Sequence, residues 1–249
     1  MIGIDLIGLL VLGLFVVLLI VFIVFGDRWP VSFRKIQGYE ALTKALERAV
    51  ESGERVHLSL GTGSLIGADS AAAFAGLVVL TEIAKVTSLS DRPAVVTTGD
   101  GAMAIVAQDS LRSAYREVGA LDRYEPISAR MLGPTPFSYV ASIPILLESE
   151  KISANALIGA FGAEGALAAD FGERKRTFVL AGTEDIQSQA LLYATAEYPL
   201  IGEEIFAGGA YLDVGPAHRA SLRVQDTIRF IIVGGILVGL LLSLLGISL

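Results

Sequence analysis

The sequence predicts an α/β fold: a mostly parallel, Rossmann-like sheet flanked by helices and inserted between N- and C-terminal transmembrane helices. Three observations carry that prediction. Residues 6–25 and 230–249 are uncharged apolar stretches of twenty residues each, and at about 1.5 Å per residue each spans about 30 Å, one hydrocarbon core. Between them, short runs rich in β-formers alternate with helix-period segments, the pattern of a parallel sheet covered on its faces. Each strand-like run then ends in small or hydroxyl residues: "LGTGS", "TTGDG", "GAFGAE" and "LAGTED".

The first apolar stretch lacks a basic leader and a small-x-small site after it, so it is expected to stay as a membrane helix. All 19 Lys and Arg residues lie between Arg28 and Arg229. Arg28, Arg34, Lys35 and Lys44 flank the first span and Arg219, Arg223 and Arg229 the second. The positive-inside rule therefore predicts a two-span protein of the cell membrane, with a cytoplasmic central region and both termini outside. Trp29 and Phe33 suit the membrane interface. The predicted organisation is a first span with its N-terminus (1–26), a cytoplasmic α/β domain (27–215), and a juxtamembrane segment with the second span (216–249).

Within the middle, "YEALTKALERAVESG" repeats apolar pairs every four residues and stops at Gly53, an amphipathic helix with its C-terminal glycine. "RVHLSL" follows as a strand. From Ser70, "SAAAFAGLVVLTEIAKV" is a helix capped by Asp69 or Ser70 and so apolar that it needs cover on nearly all sides. "PAVVTTGDG" is the next strand, and Met103, Val106, Ala107, Leu111, Ala114 and Val118 form the stripe of the helix after it. "YEPISARML" offers a further strand. Residues 133–147 hold Pro134, Pro136 and Pro144, which predicts a loop and a short buried helix. "NALIGAFG" with "AEGALAADFG", and "RTFVLAGT" with "EDIQSQALLYATAEY", add two more strand-turn-helix steps. Pro216 suits a first helical turn, so one helix is expected from there through the second span.

Function is harder to extract. In doubly wound sheets ligands bind beyond the carboxyl ends of the strands. Gly61, Gly63 and Gly67 there would let an anion approach the backbone, with Thr62, Ser64, Thr97, Thr98, Gly99 and Thr183 as neighbours. The spacing is G-x-G-x-x-x-G, however, and the expected acidic residue is missing at about 20 positions on, because Glu82 falls inside a helix and Asp100 comes late. No phosphate-loop motif is present. A tight packing turn between strand and helix is the stronger reading of the glycines, ahead of an anion site.

Catalytic candidates are weak: Glu203 and Glu204, adjacent carboxylates in an apolar setting, and Asp100. His57 lies in a strand and His218 beside the membrane, neither with a local partner, and there is no cysteine, so no metal site is expected and no cofactor is indicated. Residues 26–229 hold 19 basic and 25 acidic side chains, a poor footprint for nucleic acid. In the second span Gly235, Gly239 and Ser243 recur at four-residue spacing, a stripe on which a helix of the same or another copy can pack.

The phrases "HLSLGTG", "AAAFAGL", "LIGEEIFAGGAYL" and "ASLRVQDTIR" resemble an uncharacterised family of bacterial and archaeal membrane proteins, known only as a domain of unknown function. The likeness covers about residues 33–229. It implies a shared architecture and carries over no catalytic residue. Three roles are then open: a self-associating, non-catalytic scaffold partnered by the bilayer and its own copies; a sensor binding a small anion or nucleotide at the sheet edge; and a membrane-proximal hydrolase or transferase.

Overall fold

A computed structural model describes residues 6–26, 33–67 and 69–245 of the chain, leaving Arg28 and Trp29 outside the described residues. It divides into two units, one of residues 35–214 and one of residues 1–34 with 215–249.

The larger unit holds six strands: β1 (Arg55–Gly61), β2 (Val95–Thr98), β3 (Ala129–Met131), β4 (Ile152–Ala160), β5 (Phe178–Gly182) and β6 (Tyr198–Leu200). All pair in parallel, in the order β3-β2-β1-β4-β5-β6. This is the order of doubly wound dinucleotide-binding sheets, whose direction of winding reverses between β1 and β4. The expected strand-turn-helix steps are all present. A sixth strand, β6, is an addition to them: "YPL" is too short to show a period, and it forms by pairing with β5.

Helices α2 (Gln37–Ser52), α3 (Ser70–Thr87) and α4 (Gly101–Glu117) cover one face; α5 (Pro136–Ser149), α6 (Gly165–Arg174) and α7 (Ile186–Thr195) cover the other. Gly53 ends α2 in the left-handed conformation, φ 67°, as its position suggested. α3 is long and apolar enough to cross a membrane, yet more than half of it is buried in this unit, where it is the crossover from β1 to β2. It lies so close to the sheet that a Cβ at Gly76 would stand 2.2 Å from the Ile158 carbonyl oxygen. On α4 the buried stripe runs through Met103, Ala104, Ala107, Leu111, Ala114 and Tyr115; Val106 is half-buried, and Val118, the residue after the helix, is exposed.

The prolines at 134, 136 and 144 break the chain less than expected. Thr135 caps α5 with Pro136 at its first turn, and the helix runs fourteen residues straight through Pro144. A proline inside a helix costs about 3 kcal/mol. Buried Tyr139, Val140, Ile143, Leu146 and Leu147 offset it, at about 1.5–3 kcal/mol for each large apolar side chain.

Glu150, just beyond α5, ties three elements together. It receives Arg55 of β1 at 2.5 Å and Arg130 of β3 at 2.6 Å. The Arg130 hydrogen bond and the neighbouring Arg55 charge hold its carboxyl below the usual range. Glu150→Gln is expected to lower stability by about 1 kcal/mol, seen as a reduced denaturant midpoint by circular dichroism.

After β6, a 3-10 turn (Gly202–Ala207) and the short α8 (Gly208–Tyr211) close the unit. The second unit consists of α1 (Leu6–Phe25) and α9 (Pro216–Leu244), which pack together. Both are long and apolar enough to cross a membrane. α9 is continuous from Pro216, as expected, and its Arg223 donates to the Gly26 carbonyl at 2.7 Å, satisfying the end of α1.

Candidate functional site

The strand order points to one place, the edge beyond the carboxyl ends of β1 and β4, and the glycine turn stands there. Gly61 has φ +71°, and a Cβ on it would lie 2.0 Å from the Ala160 carbonyl oxygen of β4. A Cβ on Gly63 would meet the Ala160 Cβ at 2.8 Å and the Asp69 carbonyl oxygen at 2.9 Å. Both glycines admit the chain's own backbone. Gly67 has nothing within 4 Å of the corresponding position.

The hydroxyls at this edge are engaged in tying neighbouring connections together. Thr98 Oγ1 donates to the Gly61 carbonyl at 3.3 Å, and the Gly99 amide reaches the same oxygen at 2.8 Å. Thr183 Oγ1 accepts from the Phe161 amide at 3.1 Å and donates to the Phe161 carbonyl at 2.9 Å. The Thr62 methyl lies against Gly99, and Ser64 is exposed. Thr97 turns to the other face of the sheet and into the core.

Between these connections is a cleft of about 320 Å³, lined by Thr62, Asp69, Pro136, residues 160–162, Glu164, Thr183, Glu184 and Asp185. Its described lining holds four carboxylates and no lysine or arginine. Two of the four already sit on backbone amides. Glu164 accepts from the Gly162 amide at 2.8 Å. Asp185 caps α7, accepting from the Ser188 amide at 2.7 Å, and the Ser188 contacts hold its carboxyl below the usual range. Glu184 lies near the Ala72 amide in the first turn of α3, where dinucleotide-binding sheets hold a phosphate. Burial, and then the charge of Asp69, raise its carboxyl above the usual range.

Asp100 comes late in sequence because a long turn and the 18-residue α3 separate β1 from β2, yet in space it stands just beyond β2, where dinucleotide-binding sheets keep their ribose-binding acid. Here its carboxylate caps α4, accepting from the Met103 amide at 2.8 Å. The acidic and hydroxyl residues at the strand ends are thus used within the chain: Asp100 and Asp185 satisfy amides of the helices that follow, and Thr98, Thr183 and Glu164 bind the connections themselves. Glu203 and Glu204 belong to the 3-10 turn after β6; Glu203 is exposed, and Glu204 accepts from the Ile201 amide at 3.1 Å. They do not line the cleft.

A wider hollow of about 810 Å³, lined among others by Arg48, Glu54, Ser153, Glu173 and Arg176, opens at the amino ends of β4 and β5. That is the edge opposite the one at which doubly wound sheets take ligands. Burial raises the Glu173 carboxyl, and its Oε1 has no hydrogen-bond partner.

A polar chain inside the core escapes a reading of sequence alone. His57 and Ser59 of β1, Thr97 of β2, Asn155 of β4 and Tyr139 of α5 are all buried. Asn155 Oδ1 can only accept, so His57 Nδ1 donates to it at 2.7 Å and Nε2 accepts from Thr97 at 2.8 Å. Tyr139 then donates to Thr97 at 2.7 Å and accepts from Ser59. Burial holds the imidazole neutral, with its pKa lowered to about 4, and pushes the Tyr139 phenol up to about 12. Alternation along β1 was the only available signal, since it puts residues 57 and 59 on one face. Among the described residues no group of three His, Cys, Asp or Glu is placed to hold a metal ion.

In the unit of α1 and α9, Gly235 and Ser243 are exposed, Gly239 is half-buried, and a Cβ at Gly235 would meet nothing within 4 Å.

One family model matches the chain, over residues 2–249, and its description is a domain of unknown function. The match takes in both terminal helices, beyond the residues 33–229 that the resemblance covered. No curated protein and no solved structure matches.

Proposed function

The chain belongs to the DUF6754 family, whose description assigns no activity, and we propose that it acts as a membrane-anchored scaffold rather than as an enzyme. In this reading α1 and α9 are two spans, the α/β unit lies in the cytoplasm with the termini outside, and copies associate with one another. The single observation that carries it is the acidic switch point: Asp100 and Asp185 cap α4 and α7, Glu184 lies near the first turn of α3, and the described lining offers no cation to an incoming anion. Arginine and lysine near the inner ends of both spans support the topology. The open position beside Gly235 supports helix packing between copies.

The winding order and the position of Asp100 favour a second reading, a sensor for a small anion or nucleotide. A thermal-shift series separates the two. Full-length protein in detergent is expected to show no stabilisation by millimolar nucleotides or phosphorylated metabolites, and to elute as more than one copy by light scattering. A ligand at about 100 times its Kd stabilises by about 2.7 kcal/mol, so a saturable upward shift of several degrees overturns the scaffold reading for the sensor. A strict monomer removes the self-association.

Because the chain has no cysteine, single cysteines report topology cleanly. Glu47→Cys, on the exposed face of α2, is expected to react with an impermeant maleimide only after cells are permeabilised. Labelling of intact cells places the α/β unit outside.

A further inference from the structure

All six strands are parallel, so every connection that follows a strand's carboxyl end lies along one edge of the sheet. Four of these connections line the acidic cleft, and each, or the first turn of the helix it leads into, holds a large apolar side chain in solvent: Ile66 is 92% exposed, Ile186 81%, Phe137 69% and Leu167 56%. Single exposed apolar residues need no explanation, but a group of them on one edge around a cleft marks an interaction surface.

The cleft decides what that surface receives. Asp69, Glu164, Glu184 and Asp185 bring four carboxylates and the described lining brings no balancing cation. Phosphates, nucleic acid and anionic lipid surfaces are repelled by it. A bare metal ion is not served either, because the acids are too spread to hold one among the described residues. The cation that suits an acidic cleft of about 320 Å³ on an edge with exposed apolar side chains is an ammonium or guanidinium on its own side chain, with apolar neighbours of its own. Arginine fits best, since its fork reaches two carboxylates at once while its stem packs against apolar walls.

We propose that the carboxyl edge of the sheet is a docking surface for a segment of a partner protein that inserts a Lys or Arg into the acidic cleft and seats flanking apolar residues on Ile66, Phe137, Leu167 and Ile186. The proposal rests on the scaffold reading and names what the scaffold recruits.

The test is selection of a displayed random dodecapeptide library on full-length protein in uncharged detergent, followed by anisotropy titrations of the enriched peptides. Enriched sequences are expected to carry a Lys or Arg flanked by apolar residues and to bind more weakly at 0.5 M salt. Replacing that basic residue by Glu is expected to weaken binding at least tenfold. Two double variants at exposed or half-buried side chains, D69N/E184Q and I66S/I186S, are each expected to do the same while keeping the wild-type circular dichroism spectrum. No enrichment, enriched peptides without a basic residue, or wild-type affinity in both variants overturns the proposal. So does loss of self-association in I66S/I186S without any peptide binding, which makes a second copy the occupant, or binding of the edge to anionic vesicles in place of peptides. The nucleotide series on the same preparation keeps the readings apart: nucleotide stabilisation defeats the scaffold, whereas failed peptide selection without it defeats only the docking surface.

Discussion

Gly61→Ala is expected to unfold the α/β unit or nearly so, while Gly67→Ala, six residues along the same turn, is expected to change stability by less than about 1 kcal/mol. At Gly61 the new methyl would lie 2.0 Å from the Ala160 carbonyl oxygen and 2.7 Å from its carbon, both backbone atoms of the adjacent central strand. Neither side has room to yield. The Gly61 carbonyl holds the Gly99 amide at 2.8 Å, and the Thr62 amide holds the Ala160 carbonyl at 3.0 Å. The residue also sits at φ +71°, which disfavours any side chain by about 1 kcal/mol. Forced overpacking adds roughly 1–3 kcal/mol or more, a large part of the roughly 5–15 kcal/mol that a domain has. Far-UV circular dichroism with a denaturant titration of the full chain reads the difference. Equal tolerance of alanine at both positions would show that neighbouring backbone does not dictate glycine at 61.

The second large effect is a dependence on pH written into the core. His57 is neutral in the folded protein, with a pKa of about 4 against 6.5 in an unfolded chain. Above about pH 6.5 neither state binds the proton. Between about 6.5 and 4 the unfolded state takes it up and the folded state does not, so stability falls as the pH falls, by about 1.4 kcal/mol per unit and about 3 kcal/mol in all. Below about 4 the contribution levels off. The carboxyls of Glu82, Glu173 and Glu184 are raised and therefore act in the opposite sense, gaining stability as pH falls. The informative quantity is thus the difference between wild type and His57→Gln. The variant is expected to be less stable at pH 7 by about 2–4 kcal/mol, since Thr97 and Asn155 lose their buried partner. That gap is expected to close as the pH drops from 6.5 to 4. A gap constant with pH would mean that His57 protonates readily in the folded state.

The glycine turn illustrates how far local pattern reaches. Three glycines in seven residues were legible, and so was their place after a strand and before a helix. What they admit was not, because Ala160 is about a hundred residues away and meets Gly61 only through the β1–β4 pairing. Asp100 shows the same limit from the other side: counting residues from the turn set it aside, whereas strand pairing brings it to the acid position of the fold. The proline count in α5 misled for a related reason. Helix breaking is a local cost, and Tyr139, Ile143 and Leu147 outweigh it through burial against a sheet that the segment itself does not contain.

By itself, then, the sequence determined the two apolar ends, the alternation of strands and helices, the stop at Gly53 and the single helix from Pro216, since each follows from periodicity, length or one residue's backbone preference. Only the tertiary structure decided that the strands wind in the order β3-β2-β1-β4-β5-β6, that the glycine turn packs on the Ala160 backbone, and that His57, Thr97 and Tyr139 join in one buried chain. Those facts depend on atoms brought together by pairing and packing across long separations, and a local pattern contains no term for such encounters.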